Sequence, residues 1–80
     1  MAVSILFLGP LRDLAGREFI EVEAPLDWPG LLDRVGLDVA GQLQRDRVNV
    51  ACAGRVLLDK TTLQAKDGDE VALLPPVSGG

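Results

Sequence analysis

Val3-Ser4-Ile5-Leu6-Phe7-Leu8 decides the fold, because this six-residue run contains a single polar residue and is followed by Gly9-Pro10. A strand with apolar residues on both faces is typical of the interior of a sheet. Pro10 suits the first position of a helix, and the apolar residues at positions 11, 14 and 15 follow helical spacing. We therefore expect a central strand followed by a short helix that Gly16 ends.

The next elements along the chain are a second strand and the main helix. From Arg17 to Ala24, apolar and acidic residues alternate, which predicts a half-buried strand that forms an antiparallel pair with the first. Asp27 predicts a helix N-cap, and Gly36 predicts the end of that helix. We expect Asp38 to cap a second, shorter helical piece. The apolar stripe of the main helix consists of Trp28, Leu31, Leu32 and Val35.

The second half of the chain contains three further predicted strands, Val48–Ala53, Arg55–Leu58 and Glu70–Leu74. Ala53-Gly54 favours a hairpin turn between the first two, and Lys66-Asp67-Gly68-Asp69 is a strong turn signal. Cys52 lies on the apolar side of its strand, so we interpret it as a core residue and not a nucleophile. The order of the elements predicts an α+β domain, in which one mixed sheet of four to five strands packs on one main helix.

Composition excludes several classes of function. The 80 residues include no histidine and one cysteine, so the commonest metal ligand and a multi-cysteine zinc site are missing. The net charge of −4 disfavours nucleic acid and anionic membranes as partners. We therefore expect no metal site and no bound cofactor. We also expect a cytoplasmic location, because the apolar run near the N-terminus is too short for a signal peptide or a membrane span.

The most informative segment for function is the tail, Pro75-Pro76-Val77-Ser78-Gly79-Gly80. We divide the chain into a domain at 1–74 and an extended, flexible tail at 75–80, because two prolines favour a polyproline-like start. Gly79 and Gly80 lack a Cβ, so they can enter a narrow site. We expect a partner to activate the Gly80 carboxylate chemically, for instance as an acyl-adenylate.

Over nearly its whole length this sequence resembles a known family, the small sulfur-carrier subunits of molybdopterin synthase, which have the ubiquitin-like β-grasp fold. The resemblance is strongest in two stretches, which are Ile5–Leu8 with Leu11-Arg12-Asp13-Leu14-Ala15-Gly16, and Asp67–Ala72 continued through the tail to Gly80. The resemblance implies that an E1-like adenylyltransferase uses ATP to adenylate Gly80 and that a persulfide donor converts the carboxylate to a thiocarboxylate. It also implies that the large synthase subunit receives the tail, within a heterotetramer, and that the sulfur passes to a pterin precursor.

Strand parity in a β-grasp fold predicts a docking surface beside the tail. The first and last strands are neighbours there, so the residues that face away from the helix form one apolar patch. Such exposed patches are often interaction sites. The predicted patch comprises Leu6, Leu8, Val56, Ala72 and Leu74. Arg12, Arg55 and Lys60 are candidates for polar contacts at its rim.

Three other functions remain open at this point. One is a related sulfur carrier that serves thiazole, cysteine or tRNA thiolation. Another is a ubiquitin-like modifier conjugated to lysines through Gly80. The third is an interaction domain whose tail has no chemistry. The Pro75-Pro76 pair favours the molybdopterin type.

Overall fold

The structure, a computed structural model, describes residues 2–45 and 48–75 of the chain. Its elements are β1 (Ala2–Phe7), α1 (Pro10–Ala15), β2 (Phe19–Glu23), β3 (Leu26–Asp27), α2 (Trp28–Arg34), α3 (Leu37–Arg45), β4 (Asn49–Cys52), β5 (Arg55–Val56), a 3₁₀ turn at Lys60–Thr62, β6 (Gln64–Ala65) and β7 (Glu70–Leu74). The expectation of a mixed α+β domain is confirmed.

The main sheet has five strands in the order β2-β1-β7-β4-β5. β1 and β7 are parallel, and the other neighbours are antiparallel. β1 lies inside the sheet with a partner on each side, as its apolar composition predicts. Because β1 and β7 run in the same direction, their C-terminal residues lie at the same end of the sheet.

The core lies on the face of the sheet that packs against the helices. On β1 the exposed fraction of Val3, Ile5 and Phe7 is 2% or less, and on β7 Val71 and Leu73 are fully buried. The predicted parity of both strands is therefore confirmed. The core is completed by Leu11, Leu26, Leu31, Val35, Val39, Leu43, Val48, Val50, Leu63 and Ala65.

The helix boundaries follow from their capping residues. Gly16 ends α1 in the left-handed conformation, at φ 77°, and its N–H donates to the Arg12 carbonyl. Asp27 caps α2 as predicted, because its Oδ1 accepts a hydrogen bond of 2.9 Å from the Gly30 N–H. These ends were readable from the sequence because single residues determine them.

The helical layer is divided more evenly than expected. Gly36, at φ 90°, separates α2 from α3, and α3 has nine residues against seven in α2. The Gly36 carbonyl accepts from the Ala40 N–H at 2.9 Å, so α3 begins at Leu37. The prediction that Asp38 caps this helix is wrong, since Asp38 lies in its first turn.

The structure also contains a small second sheet that we did not predict. β3 pairs with β6 in antiparallel fashion, with Leu26 opposite Ala65. Both residues are buried, so the pair closes one end of the core. The hairpin of β4 and β5 is present at Ala53-Gly54, where φ is 52° and 83°, but β5 is only two residues long.

Candidate functional site

The described part of the tail is its root, at Pro75. β7 ends at Leu74, which lies opposite Asn49 of β4, so the chain leaves the sheet from a central strand. Pro75 is half-buried and lies against Gly9, where an added Cβ would come within 3.2 Å of the Pro75 Cγ. Gly9 has φ 57° and ψ −133°, a conformation that favours glycine. The β1–α1 connection therefore contacts the first tail residue.

The remaining tail residues, Pro76, Val77, Ser78, Gly79 and Gly80, lie outside the described residues. The predicted roles of these residues, including the activation of Gly80, stay predictions. The structure does show where the tail starts, and that position decides which surface is beside it.

The face of the sheet opposite the helices, which we call the outer face, carries a continuous apolar row. Leu6 pairs with Ala72 of β7 and with Phe19 of β2. Ala51 of β4 lies between Ala72 and Val56 of β5. Paired residues point to the same face of a sheet, so the row crosses all five strands. It consists of Phe19, Leu6, Ala72, Ala51 and Val56.

The apolar part of the outer face is at the end of the sheet where the tail begins. Leu74 is the last residue of β7 at that end, and Leu8, which directly follows β1, is 37% exposed. At the other end, Ser4 lies between Glu21 and Glu70. The outer face is therefore apolar near the tail root and acidic far from it.

Four of the five residues of the predicted patch are on this outer face, and the fifth, Leu8, directly follows β1. Leu6 and Ala72 are direct neighbours, and Leu6, Ala72 and Leu74 are half-buried. Val56 is 58% exposed and is separated from Ala72 by Ala51.

Sequence reasoning missed three further apolar residues at or beside this surface. Phe19 is 55% exposed, and it shares the parity of Glu21 and Glu23, which we assigned to the solvated side of this strand. Ala51 is the bridge between two predicted members. Leu58 is wholly exposed just beyond β5. The pairing register was needed to find the first two, and alternation within one strand does not give it.

Two of the three charged residues that we expected at the rim of the patch make contacts within the domain. Lys60 Nζ donates a 2.9 Å hydrogen bond to the Val48 carbonyl and lies 5.9 Å from the centre of the Trp28 ring. Arg12 lies 3.7 Å from Glu18 in an exposed ion pair, which contributes little to stability. Lys60 is therefore a structural residue, whatever it contributes to docking.

Cys52 is on the core-facing side of β4 but near the edge of the core, and it is half-buried. Burial, followed by the negative charge of Asp69 and a long contact of 3.8 Å to its Oδ2, raises the pKa of the Cys52 thiol. A raised pKa keeps the thiol protonated and unreactive at neutral pH. The arrangement agrees with our interpretation of Cys52 as a packing residue.

Metal binding and membrane insertion both bear on the class of function. Within 2–45 and 48–75, no three histidine, cysteine or acidic side chains are grouped so that they could hold a metal ion. In the same ranges no helix is long and apolar enough to cross a membrane.

Comparison with known proteins identifies relatives along the whole chain. The model of the ThiS family matches residues 5–80. A molybdopterin synthase sulfur carrier subunit of Anopheles gambiae is 31% identical over 83 residues, which covers 98% of this chain and 91% of that protein.

Solved structures of other proteins share the fold. One is a protein–protein complex of subunits 1 and 2 of the molybdopterin-converting factor of Helicobacter pylori, with a TM-score of 0.68 and 28% identity over all of both chains. Another is SAMP1 of Haloferax volcanii, a small archaeal modifier protein, with a TM-score of 0.72 and 26% identity over all of both chains. These neighbours confirm the ubiquitin-like β-grasp fold.

Proposed function

The chain belongs to the ThiS family of sulfur carriers, and from this premise we propose that it is the sulfur-donor subunit of a molybdopterin synthase. In this role the Gly80 carboxylate becomes a thiocarboxylate, and its sulfur passes to a pterin precursor bound by the large subunit. The chain supplies the reactive group and the docking surface, and the partner supplies the catalytic residues. It acts in the cytoplasm, without a bound cofactor of its own.

The observation that carries this proposal is the position of the apolar outer face. The parallel pairing of β1 and β7 puts Leu6, Ala72 and the root of the tail at one end of the sheet. A partner that covers the apolar row is then in position to receive the tail. The Anopheles gambiae and Helicobacter pylori relatives, a sulfur carrier subunit and a two-subunit complex, support this assignment.

The chemistry requires two other proteins. A carboxylate is a poor electrophile, so an E1-like enzyme first joins it to AMP from ATP. The terminal sulfur of a persulfide donor then displaces AMP from the acyl carbon, which joins the chain to the donor through an acyl disulfide. A second thiol cleaves that S–S bond, so that the thiocarboxylate is released and a disulfide forms between the second thiol and the donor. Intact-mass measurement after incubation with ATP, the activating enzyme, the donor and a thiol reductant tests this step. A gain equal to the difference between one sulfur and one oxygen atom is expected, and an unchanged mass in a competent system would refute it.

Reconstitution with the large synthase subunit and the pterin precursor tests the assignment to molybdopterin synthesis. Thiocarboxylated protein is expected to yield the dithiolene product, and deletion of Gly80 is expected to abolish the product while folding and binding persist. If the thiocarboxylate forms but no product appears, the sulfur serves another acceptor, such as a thiazole, cysteine or tRNA pathway.

The docking step has a matched pair of variants on one strand. Leu6→Asp puts a charge into the apolar row, whereas Ser4→Asp puts the same charge two residues away on the same face, in the acidic part. We expect Leu6→Asp to weaken binding to the large subunit about tenfold or more and Ser4→Asp to change it little. Equal effects of the two variants would show that the row is not the interface.

A second candidate function is that of a protein modifier, and the similarity to SAMP1 favours it. The same activated Gly80 would then form an amide bond with lysines of target proteins. Activation in a lysate, followed by detection of conjugates of higher mass, distinguishes the two functions. Conjugates that require Gly80 would support the modifier, and their absence alongside a thiocarboxylate would support the carrier.

A further inference from the structure

The edge of the main sheet formed by β2 has an unused row of backbone groups. In the part of the chain that the structure describes, β2 is the outermost strand and pairs only with β1. The Phe7 N–H donates to the Glu18 carbonyl at 2.8 Å, and hydrogen-bonded positions alternate in an antiparallel pair. The even-numbered residues of β2 therefore direct their N–H and C=O groups at β1. The groups that point away from the sheet belong to Phe19, Glu21 and Glu23.

A groove of about 300 Å³ lies beside this edge, on the side of the helices. Its apolar lining comes from β1, β2 and the end of α2, through Phe7, Ile20 and Val35. In an added strand, alternate side chains point to the same side as Ile20. A strand that pairs with β2 would therefore place apolar side chains in or beside this groove.

Two arginines line the same groove. Arg17 precedes β2 and Arg34 ends α2, and both side chains are exposed. Among the residues that the structure describes, neither arginine makes an ion pair. Two cations beside an apolar groove favour a carboxylate in the occupant.

The opposite face of β2 has the other sign of charge. Glu21 and Glu23 point to the outer face and are exposed. Side chains of an added strand that lie beside them are therefore favoured when they are basic. Two copies of this chain that paired through β2 would instead bring these carboxylates together, which disfavours self-association at this edge.

We propose that the β2 edge and the groove between Arg17 and Arg34 form a docking site for an extended peptide segment of a partner protein. The segment adds as a sixth strand beside β2. Its inward side chains are apolar, its outward side chains are basic, and an Asp or Glu side chain lies at the arginine end. This site is separate from the apolar row of the outer face and does not rest on the sulfur-carrier proposal.

Synthetic peptides of six residues test the site on the full chain. In each peptide, valines alternate with lysines, and one aspartate stands at the first position in one peptide and at the last in the other, since strand direction is not fixed. Both ends are blocked, so the aspartate side chain is the only carboxylate. We expect one of the two peptides to bind and to slow the hydrogen exchange of the Phe19, Glu21 and Glu23 amides, as measured by NMR.

Charge variants test the arginine end. Arg34→Glu and Arg17→Glu are each expected to lower the affinity about tenfold, as is replacement of the peptide aspartate by asparagine. Lys66→Glu is the control, because it changes the net charge by the same amount. Lys66 lies in the turn before β7 and does not line the groove, so we expect little change in the affinity for the peptide. Thermal unfolding of each variant confirms that it is folded.

Three results would overturn the proposal. The first is that neither peptide binds at concentrations up to about 1 mM. The second is binding whose amide shifts map to Leu6 and Ala72 instead of β2. The third is a concentration-dependent dimer that protects the β2 amides without peptide, since that would make a second copy the occupant.

Discussion

Replacement of Gly9 by alanine tests whether the β1–α1 connection holds the root of the tail. Among the described residues, and apart from its chain neighbours, the only atom within 4 Å of the added Cβ is the Pro75 Cγ, at 3.2 Å. This distance is tighter than ordinary van der Waals contact, so Pro75 or the Gly9 backbone has to shift. Gly16→Ala is the matched control, because Gly16 also has a positive φ, of 77°, but its added Cβ meets no atom of residues 2–45 and 48–75 within 4 Å.

The expected magnitudes follow from backbone strain and from this contact. A non-glycine residue in the left-handed conformation costs about 1–2 kcal/mol, which is the whole effect expected for Gly16→Ala. Gly9, at φ 57° and ψ −133°, is in a sparser region that costs about 1–3 kcal/mol, with the contact to Pro75 added. In a domain of this size each kcal/mol lowers Tm by about 4–8 °C.

A double-mutant cycle with Pro75→Ala isolates the contact, because alanine lacks the Cγ. Any effect of Pro75→Ala on the unfolded chain cancels in the cycle. We expect Gly9→Ala to be less destabilising in the Pro75→Ala background by about 0.5–1 kcal/mol. The same cycle built with Gly16→Ala should be additive. Chemical denaturation of the four proteins gives each free energy of unfolding.

Additive free energies for Gly9→Ala and Pro75→Ala, within about 0.3 kcal/mol, would refute the contact. A second readout connects it to function, since a shifted root changes where the tail leaves the domain. We expect Gly9→Ala to slow adenylation of Gly80 more than Gly16→Ala does, at temperatures where both variants are folded. Equal rates would mean that the root contact has no part in presenting the tail.

Three other predictions concern the domain itself. Asp27→Ala removes the acceptor for the Gly30 N–H and should lower the free energy of unfolding by about 1 kcal/mol, whereas Asp27→Ser should restore most of it. Because the pKa of Cys52 is raised in the folded protein, the folded state holds its proton more tightly, so stability should be full below the ordinary thiol pKa and fall as pH rises through the raised value. This loss between neutral and alkaline pH should disappear in Cys52→Ser. Lys60→Met keeps the apolar stem but removes the donor to the Val48 carbonyl, and a loss of about 1–2 kcal/mol is expected in urea unfolding; no loss would show that solvent replaces this bond.

The sequence predicted those features of the fold that depend on a few adjacent residues. Gly16 and Asp27 mark helix ends through their own conformation or side chain, and the alternation along β1 and β7 gives the buried face directly. The small sheet was missed because its strands have two residues each, too few to show a period. The division of the helical layer at Gly36 was also underestimated, since α3 depends on packing of Val39 and Leu43 against the core.

The apolar row of the outer face was only partly predictable for a related reason. Parity assigns each residue of a strand to a face, so Leu6 and Ala72 were found from their own strands. Phe19 and Ala51 join the surface through the register between strands, which is a long-range property of the fold. Phe19 also looks solvated by sequence, because Glu21 and Glu23 share its face. Alternation within single strands therefore cannot show how far an apolar surface extends across five strands.

The register also shapes the surface in a way that constrains its partner. Ala72 and Ala51 occupy the central strands of the row, while larger side chains flank them at Leu6 and Val56. Small residues between large ones form a shallow trough, and Leu74 of β7 borders it on the side of the tail. A partner that fits it needs a narrow apolar ridge. Ala72→Leu, which fills the trough without adding charge, should therefore weaken docking of the large subunit about as much as Leu6→Asp does, whereas a flat partner surface would tolerate it. Measured affinities of the two variants, compared with Ser4→Asp, decide between a ridge and a flat interface.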